Sequence, residues 1–563
     1  MAEGFVLDLR ESADQLDLVY SRNEARWKTF FIDWLGGLNR RNAGVGWWAH
    51  VSAVKNFLSS PLGNRVFQLL ALREVVETQG VERLFVLGAH PAQIRATERW
   101  AESSGISVRA TWRARLPWAL PRLTGLRILV QFVRAVRHFG FRRPMPVQAA
   151  HPPDLCIFTY VDASLREGSD AFFGTLPERL REIAPGISTM FIAHVQAPLA
   201  ATLPKLRQMR WQPYLPLFDM LSWRDFAWAL VRSLSEALRM RSLRTGDEGW
   251  LRPLLLDALR WDMGPGAYFN NLLIYRAARR MAARLRPACF LYPYENKSLE
   301  KLLILGLREG FPEIRIVGYQ HSSITPRHAT LLFAEGEAGA TPLPDRIVTA
   351  GEVTKDFLER HGRYPEGILV AGCALRQTWG EPFARRASGD GRIRVLLALS
   401  SSIAELVRGV RFMMAVSACL PELELGIRPH PEFPLDRLPA GEREWVRSHA
   451  KELGGTPLAD NLQWCDVVAY ASSTVAIEAL MRGRPVVHFP AGDIVGADPL
   501  IGDAPAFRSK AASAEEFAAA CRRWMEMDDG SFHAFAVEGV EYVASYLKAP
   551  DEHSIGLFLC GSR

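Results

Sequence analysis

Short apolar runs, each ended by turn residues and followed by a stretch of helical spacing, recur along most of this chain, and that recurrence constrains the fold more than any other feature. The runs fall at residues 83–88, 106–110, 154–160, 188–192, 288–292, 315–319, 346–349, 368–370, 394–399, 423–427, 466–471 and 485–489. Strands alternating with helices form parallel sheets covered on both faces. In an open sheet of that kind a ligand lies outside the carboxyl ends of the strands. The residues that follow each run are therefore the ones to read for chemistry.

Two such places stand out in the carboxyl-terminal half. Ile427-Arg428-Pro429-His430-Pro431 ends one run, and Tyr470-Ala471-Ser472-Ser473-Thr474-Val475-Ala476-Ile477-Glu478 carries another into a helix. Ser472, Ser473 and Thr474 offer hydroxyls and free backbone N–H groups to a phosphate at a positive helix terminus. His430, held between Pro429 and Pro431, is placed to donate to the same phosphate, Arg428 to neutralise it, and Glu478 to accept from ribose hydroxyls. Ser401, within Ser400-Ser401-Ser402 after the run at 394–399, is a further phosphate or base contact, against the simpler reading that serines there cap a helix.

In the amino-terminal half, Glu295 and His321 leave successive strands at the same sheet edge and are expected to share a cleft. A carboxylate and an imidazole together can orient and deprotonate an alcohol, which is a poor nucleophile until a base takes its proton. His321 is followed by Ser322, Ser323, Arg327 and His328, a polar cluster that a core histidine would not explain. Asp162, after the run at 154–160, is a second carboxylate for base or nucleophile; its competing reading is a turn aspartate. Glu295 has a competing reading too, as the start of a helix. His90-Pro91 echoes His430-Pro431 and reads most simply as a turn with proline at the first helical position.

The His-Pro step followed some forty residues later by Ser-Ser-Thr resembles the donor-site signature of GT-B transferases that use cytidine-activated donors, such as bacterial sialyltransferases, Kdo transferases and CDP-glycerol phosphotransferases. Tyr292-Pro293-Tyr294-Glu295-Asn296 leading into Leu299-Glu300-Lys301, and Val317-Gly318-Tyr319-Gln320-His321-Ser322, resemble a bacterial surface-carbohydrate family of the O-antigen type. The resemblance implies an α/β protein with two Rossmann-like domains facing a cleft. It also implies a glycosyltransferase that moves a sugar, of the sialic or ulosonic type first of all, from a nucleotide-sugar donor, CMP-activated before others, to a glycan or lipid-linked surface-polysaccharide acceptor. No Asp-x-Asp follows a strand, so no metal and no cofactor is expected, the phosphate being met by protein groups. Two alternatives stay open: a nucleotide-sugar 2-epimerase of the same shape, and a non-catalytic glycan-assembly or lipid-binding component.

A length of 563 residues exceeds one ordinary core. The expected division is residues 1–335 with a helical insertion at about 200–285, a Gly-, Ala- and Pro-rich linker at 331–344, a nucleotide-binding unit at 345–535, and a final helix and tail at 536–563. Seven scattered cysteines without CxxC spacing suit a reducing compartment and argue against a zinc cage. No apolar stretch is long enough to span a bilayer and no secretory signal opens the chain, so a cytoplasmic location is expected. The net charge of +7 lies largely in arginines dispersed among apolar residues, without zinc-finger spacing, an RNP-type motif or a lysine-rich tail, so nucleic acid is not the expected partner. Residues 116–145 carry Arg122, Arg127, Arg134, Arg137, Arg142 and Arg143 and no acid, and 221–244 are again basic and amphipathic, though more weakly. Such segments fit an anionic membrane surface, or a helix packed on its own domain.

Overall fold

A computed structural model describes residues 14–57, 59–87, 89–110, 120–140, 151–196, 199–243, 245–246, 248–264, 267–377, 380–386, 391–491 and 495–560. Fifteen strands lie among them, all in parallel sheets. A βαβ unit, β1 (Arg83–Val86) and β2 (Ser107–Ala110), forms a two-stranded sheet of its own. The first large sheet holds β3 (Leu155–Val161), β4 (Thr189–Val195), β5 (Tyr214–Pro216), β6 (Cys289–Pro293), β7 (Arg315–Gln320), β8 (Arg346–Thr349) and β9 (Leu369–Ala371), in the order β5-β4-β3-β6-β7-β8-β9. The second holds β10 (Ile393–Ala398), β11 (Leu423–Arg428), β12 (Ala450–Glu452), β13 (Val467–Tyr470), β14 (Val486–His488) and β15 (Arg508–Lys510), in the order β12-β11-β10-β13-β14-β15.

Each sheet begins in its middle, runs outward to one edge, then restarts on the other side of its first strand. This is the doubly wound, Rossmann-like arrangement, and its crevice opens where the order reverses: between β3 and β6 in the first sheet, between β10 and β13 in the second. The central strands are apolar because helices cover both faces; every residue of β6 and of β13 is buried.

The helices that frame the crevices and the outer surface are α1 (Asp14–Asn42), α2 (Leu120–Ala135), α3 (Trp223–Arg239), α4 (Ala267–Leu285), α5 (Ser298–Gly310), α6 (Glu352–His361), α7 (Ile403–Cys419), α8 (Val475–Met481) and α9 (Asp529–Tyr546). Close approach of α4 and α5 requires Gly306 and Gly310, where a Cβ would lie 2.3 Å from the Tyr275 carbonyl oxygen and 2.1 Å from that of Arg279. Helix α9 packs against both α8 and α6. Beyond it the chain returns to the first sheet: Ala350 O accepts from Lys548 N, Arg346 Nη1 donates to Leu557 O, and Cys560 forms a disulfide with Cys289 of β6.

Several expectations are corrected by this topology. The strands at 346–349 and 368–370 are expected from the sequence to open the second unit, yet β8 pairs with β7 and β9 with β8, and both extend the first sheet. The stretch at 331–344 is thus a connection inside that sheet. Its small residues serve packing: a Cβ on Gly36 of α1 would sit 2.3 Å from Ala334 Cβ, and buried Glu337 binds Lys55 at 2.5 Å and Asn39 at 2.6 Å. The insertion at about 200–285 is helical except for β5, whose three residues pair with β4. Cys289 and Cys560 are not free thiols; Cys156, Cys373, Cys465 and Cys521 are buried as expected of core cysteines. His90 caps the helix Pro91–Ser104, its ring accepting from Ala92 N, which is the simple turn reading.

Candidate functional site

At the first switch point Glu295 follows β6 and His321 follows β7, and their side chains meet, Glu295 Oε1 standing 3.8 Å from His321 Nε2. Lys297 forms an ion pair with the other Glu295 oxygen. A third of the Glu295 side chain is exposed, so it faces solvent from the crevice rather than the core. The loop that presents it is clamped from below. Glu300, 1% exposed, accepts the backbone N–H groups of Glu295 (3.0 Å) and Asn296 (2.7 Å) on one carboxylate oxygen. Both amides turn toward that oxygen because Asn296 is left-handed, φ 58°, a conformation asparagine tolerates better than most residues. Asn296 in turn donates to Thr330 O at 2.5 Å and accepts from Lys301 Nζ.

The electrostatics of this crevice follow from burial. Desolvation pushes the Glu300 carboxyl above its usual range, with the Glu295 charge adding to it, and lowers Lys301. Burial also lowers His321 and His328, against the opposing pull of Glu295 on both. These imidazoles are neutral at pH 7 and can accept protons. His194, at the end of β4, is lowered to about 4 by burial alone. Its Nδ1, Gln320 Oε1 and Glu300 Oε1 are buried without a hydrogen-bond partner, and each such atom is a place for a water or ligand group to bind.

Asp162 lies elsewhere in function. It is exposed, and one carboxylate oxygen accepts both the N–H (2.7 Å) and the hydroxyl (2.6 Å) of Ser164, which holds its pKa low. That is an Asx turn, and the geometry brings Asp162 into contact with neither Glu295 nor His321.

At the second switch point the strand ends are joined directly. Ser472 Oγ, after β13, donates to Ser400 Oγ, after β10, at 2.7 Å. Both hydroxyls also bond to Glu405, which is 2% exposed and accepts Ser400 N at 3.1 Å. Ser402 caps α7, its hydroxyl accepting from Glu405 N. Ser401 is exposed between them. Ser473 is buried, with Oγ accepting from Val475 N, whereas Thr474 is exposed and makes no side-chain cap bond. Helix α8 behind them is only seven residues long. His430 is 36% exposed beside Pro431, and its Nδ1 accepts Glu432 N, which places the ring proton on Nε2.

Arg428 pairs in register with Ala398, next to Tyr470, but its Nη1 is committed to Leu453 O, Thr456 O and Asn461 Oδ1. It builds the wall of the crevice. Glu478 is largely buried, and desolvation raises it against the pull of Arg428 and Arg482.

Glu300 and Glu405 are the residues that reading the sequence missed. Each is the third residue of the helix that follows a central strand, α5 or α7, and each reaches back to backbone N–H groups of the loop before it. The spacing Ser402-x-x-Glu405 is a capping-box signal that points to such a carboxylate. Arg376 was missed as well; its charge acts on His321, Tyr319 and Asp170 although it lies beyond β9 in the chain. The loops leaving β7 and β14 converge on α9, where Tyr546 Oη bonds Ile324 and Tyr542 Oη bonds Ile501 O one turn apart.

No family model matches the sequence, and neither does any curated protein. Solved structures do align. HepE of Anabaena, in complex with UDP and glucose, is 12% identical with a TM-score of 0.35, covering 72% of this chain and 97% of its own. The UDP-GlcNAc 2-epimerase of Neisseria meningitidis, bound to UDP-GlcNAc, is 9% identical with a TM-score of 0.41, covering 72% and 99%. CalG4, the calicheamicin glycosyltransferase, is 11% identical with a TM-score of 0.39, covering 72% and 98%.

Proposed function

We propose that this chain is a glycosyltransferase that holds a nucleotide-sugar donor at the β10–β13 crevice and passes the sugar to a hydroxyl of a surface-glycan acceptor bound at the β3–β6 crevice. The observation that carries the proposal is the joining of Ser400 and Ser472 over Glu405, which builds a rigid, hydroxyl-lined rim at the place where a Rossmann-like sheet binds its nucleotide. Ser401, Ser473 and Thr474 line the donor phosphate in this reading, His430 donates to it through Nε2, and Pro431 holds that ring's loop. Glu478 takes the ribose. Arg428 acts through the wall it braces.

On the acceptor side Glu295 takes the proton of the attacking hydroxyl, and His321, neutral and 3.8 Å away, orients that hydroxyl and stabilises the carboxyl once protonated. The bond from the anomeric carbon to the donor phosphate breaks as the new glycosidic bond forms, and the nucleotide leaves as an anion into the hydrogen bonds of Ser401, Ser473, Thr474 and His430, which the rim of Ser400, Ser472 and Glu405 holds in place. Asp162 belongs to the proposal only as a turn that shapes the β3 end. Cytidine-activated sugars are the first donors to try, because the His430-Pro431 and Ser472-Ser473 steps resemble sites that take them. Mass spectrometry across CMP-, CDP-, UDP- and GDP-sugars tests the proposal: one donor consumed, with release of its nucleotide, supports it, and none consumed in the presence of glycan acceptors refutes it.

A further inference from the structure

Two helices of the first half are built inside out. On α2 the residues turned inward are Thr124, Ile128, Gln131 and Ala135, with Gln131 donating to Gly264 O. Leu126 (55% exposed), Leu129, Val130 and Val133 face outward at the i, i+3, i+4, i+7 spacing of one stripe. The reversal is stronger on α3, which packs beside α2. It buries Asp225, Ser233 and Glu236 beside Phe226 and Ala229, and exposes Trp223, Val231, Leu234 and Leu238. A helix at the surface of a water-soluble protein does the opposite. Eight of the thirteen large apolar side chains that stand exposed among the described residues lie on these two helices.

Charge completes the pattern. Arg127, Arg134 and Arg137 flank the α2 stripe, and Arg224 and Arg239 flank that of α3, all exposed. Both acids of α3 are buried and paired, Asp225 inward with Arg276 and Arg280, Glu236 with Arg239 of the border. The exposed surface of the two helices is therefore apolar with a cationic border and bears no carboxylate. No helix among the described residues is long and apolar enough to cross a membrane. Arg142 and Arg143, which the sequence adds to this run, lie outside the described residues.

From this geometry we infer that α2 and α3 form a platform that lies in the interface of an anionic lipid leaflet, apolar stripes in the acyl boundary and arginines at the phosphates. The platform reaches the acceptor crevice: Phe139, just beyond α2, packs on Phe218 with ring centres 4.2 Å apart, Phe218 meets His194 at 5.6 Å, and His194 meets Tyr160 at the end of β3. Given the transferase reading, an acceptor carried on a lipid would be delivered to the edge where Glu295 waits. The surface itself does not depend on that reading.

Flotation of the full chain with vesicles tests the inference. Wild type is expected to float with phosphatidylcholine vesicles containing phosphatidylglycerol and to bind much more weakly to phosphatidylcholine alone. Changing Arg127, Arg134 and Arg137 to Gln should lower partitioning on the order of a hundredfold, at about fivefold per charge. Changing Leu129, Val133, Val231 and Leu234 to Ser should abolish it, while donor consumption with a water-soluble acceptor stays at the parent rate. Failure to float with anionic vesicles, or equal flotation of the serine variant, overturns the platform. So does a concentration-dependent dimer that the serine variant loses, which would assign the stripes to a second copy of the chain. A chain that floats as expected but consumes no donor refutes the transferase and leaves the platform standing.

Discussion

Replacing Glu405 by alanine strikes the contact on which the proposed donor site rests. Its carboxylate accepts Ser400 N at 3.1 Å and Ser400 Oγ at 2.5 Å, and shares the single hydroxyl proton of Ser472 with Ser400 Oγ. After truncation the two hydroxyls still have one another at 2.7 Å, so one bond of the rim survives. The Ser400 amide has no such substitute. An orphaned, partly buried amide costs up to about 1–3 kcal/mol, and the cavity left by a 2% exposed side chain adds to it, so a loss of roughly 2–4 kcal/mol is expected. Glu405→Gln keeps the shape and one acceptor and should lose only about 1 kcal/mol. Urea unfolding followed by circular dichroism reads the stability, and calorimetric titration with CMP and UDP reads the site, where the alanine variant should bind at least about tenfold more weakly, or 1.4 kcal/mol. An alanine variant within about 0.5 kcal/mol of the parent, binding nucleotide normally, would refute the idea that Glu405 ties β10 to β13.

Other outcomes rest on the same geometry. Glu295→Gln should keep donor affinity and lose turnover by about 10²–10⁴-fold, whereas Asp162→Asn, confined to an Asx turn, should stay near the parent rate in the same assay. His430→Ala and Ser473→Ala should each weaken nucleotide binding by about 1–3 kcal/mol with unchanged circular dichroism. Burial depresses His194, His321, His328 and His488, so the unfolded chain binds protons that the folded one refuses. Stability from this source is full above the ordinary imidazole value of 6.5 and is lost as pH falls through the folded values, about 4 for His194, whose share is about 3 kcal/mol. Denaturant midpoints measured from neutral to acid pH should therefore fall, and less steeply in His194→Phe.

Much of the fold was legible because central parallel strands, buried on both faces, are written as continuous apolar runs; β3, β6, β10 and β13 lie within a residue or two of where the runs predict them. The switch points were legible for the same reason, and with them the placing of Glu295, His321, Ser472 and His430 at strand ends. Short edge strands carry too little pattern: β5 is three residues bounded by prolines, and β12 and β15 are equally short. Sheet membership is a long-range property, so nothing local in 346–349 says that β8 pairs with β7 rather than opening a second sheet. Helix α1, 29 residues with apolar positions mixed among charges, gave no clean period because its buried residues contact several elements rather than one. The inward turn of Asp225 and Glu236 on α3 depends on Arg276, Arg280 and Arg239, so the segment read as basic and amphipathic without revealing which face would be left outside.

Calorimetric titration of the wild-type chain with CMP, CDP and UDP tests the central claim most directly. Saturable binding of at least one of them, weakened in both His430→Ala and Ser473→Ala, is the predicted result. No heat with any nucleotide from a folded protein would contradict the account.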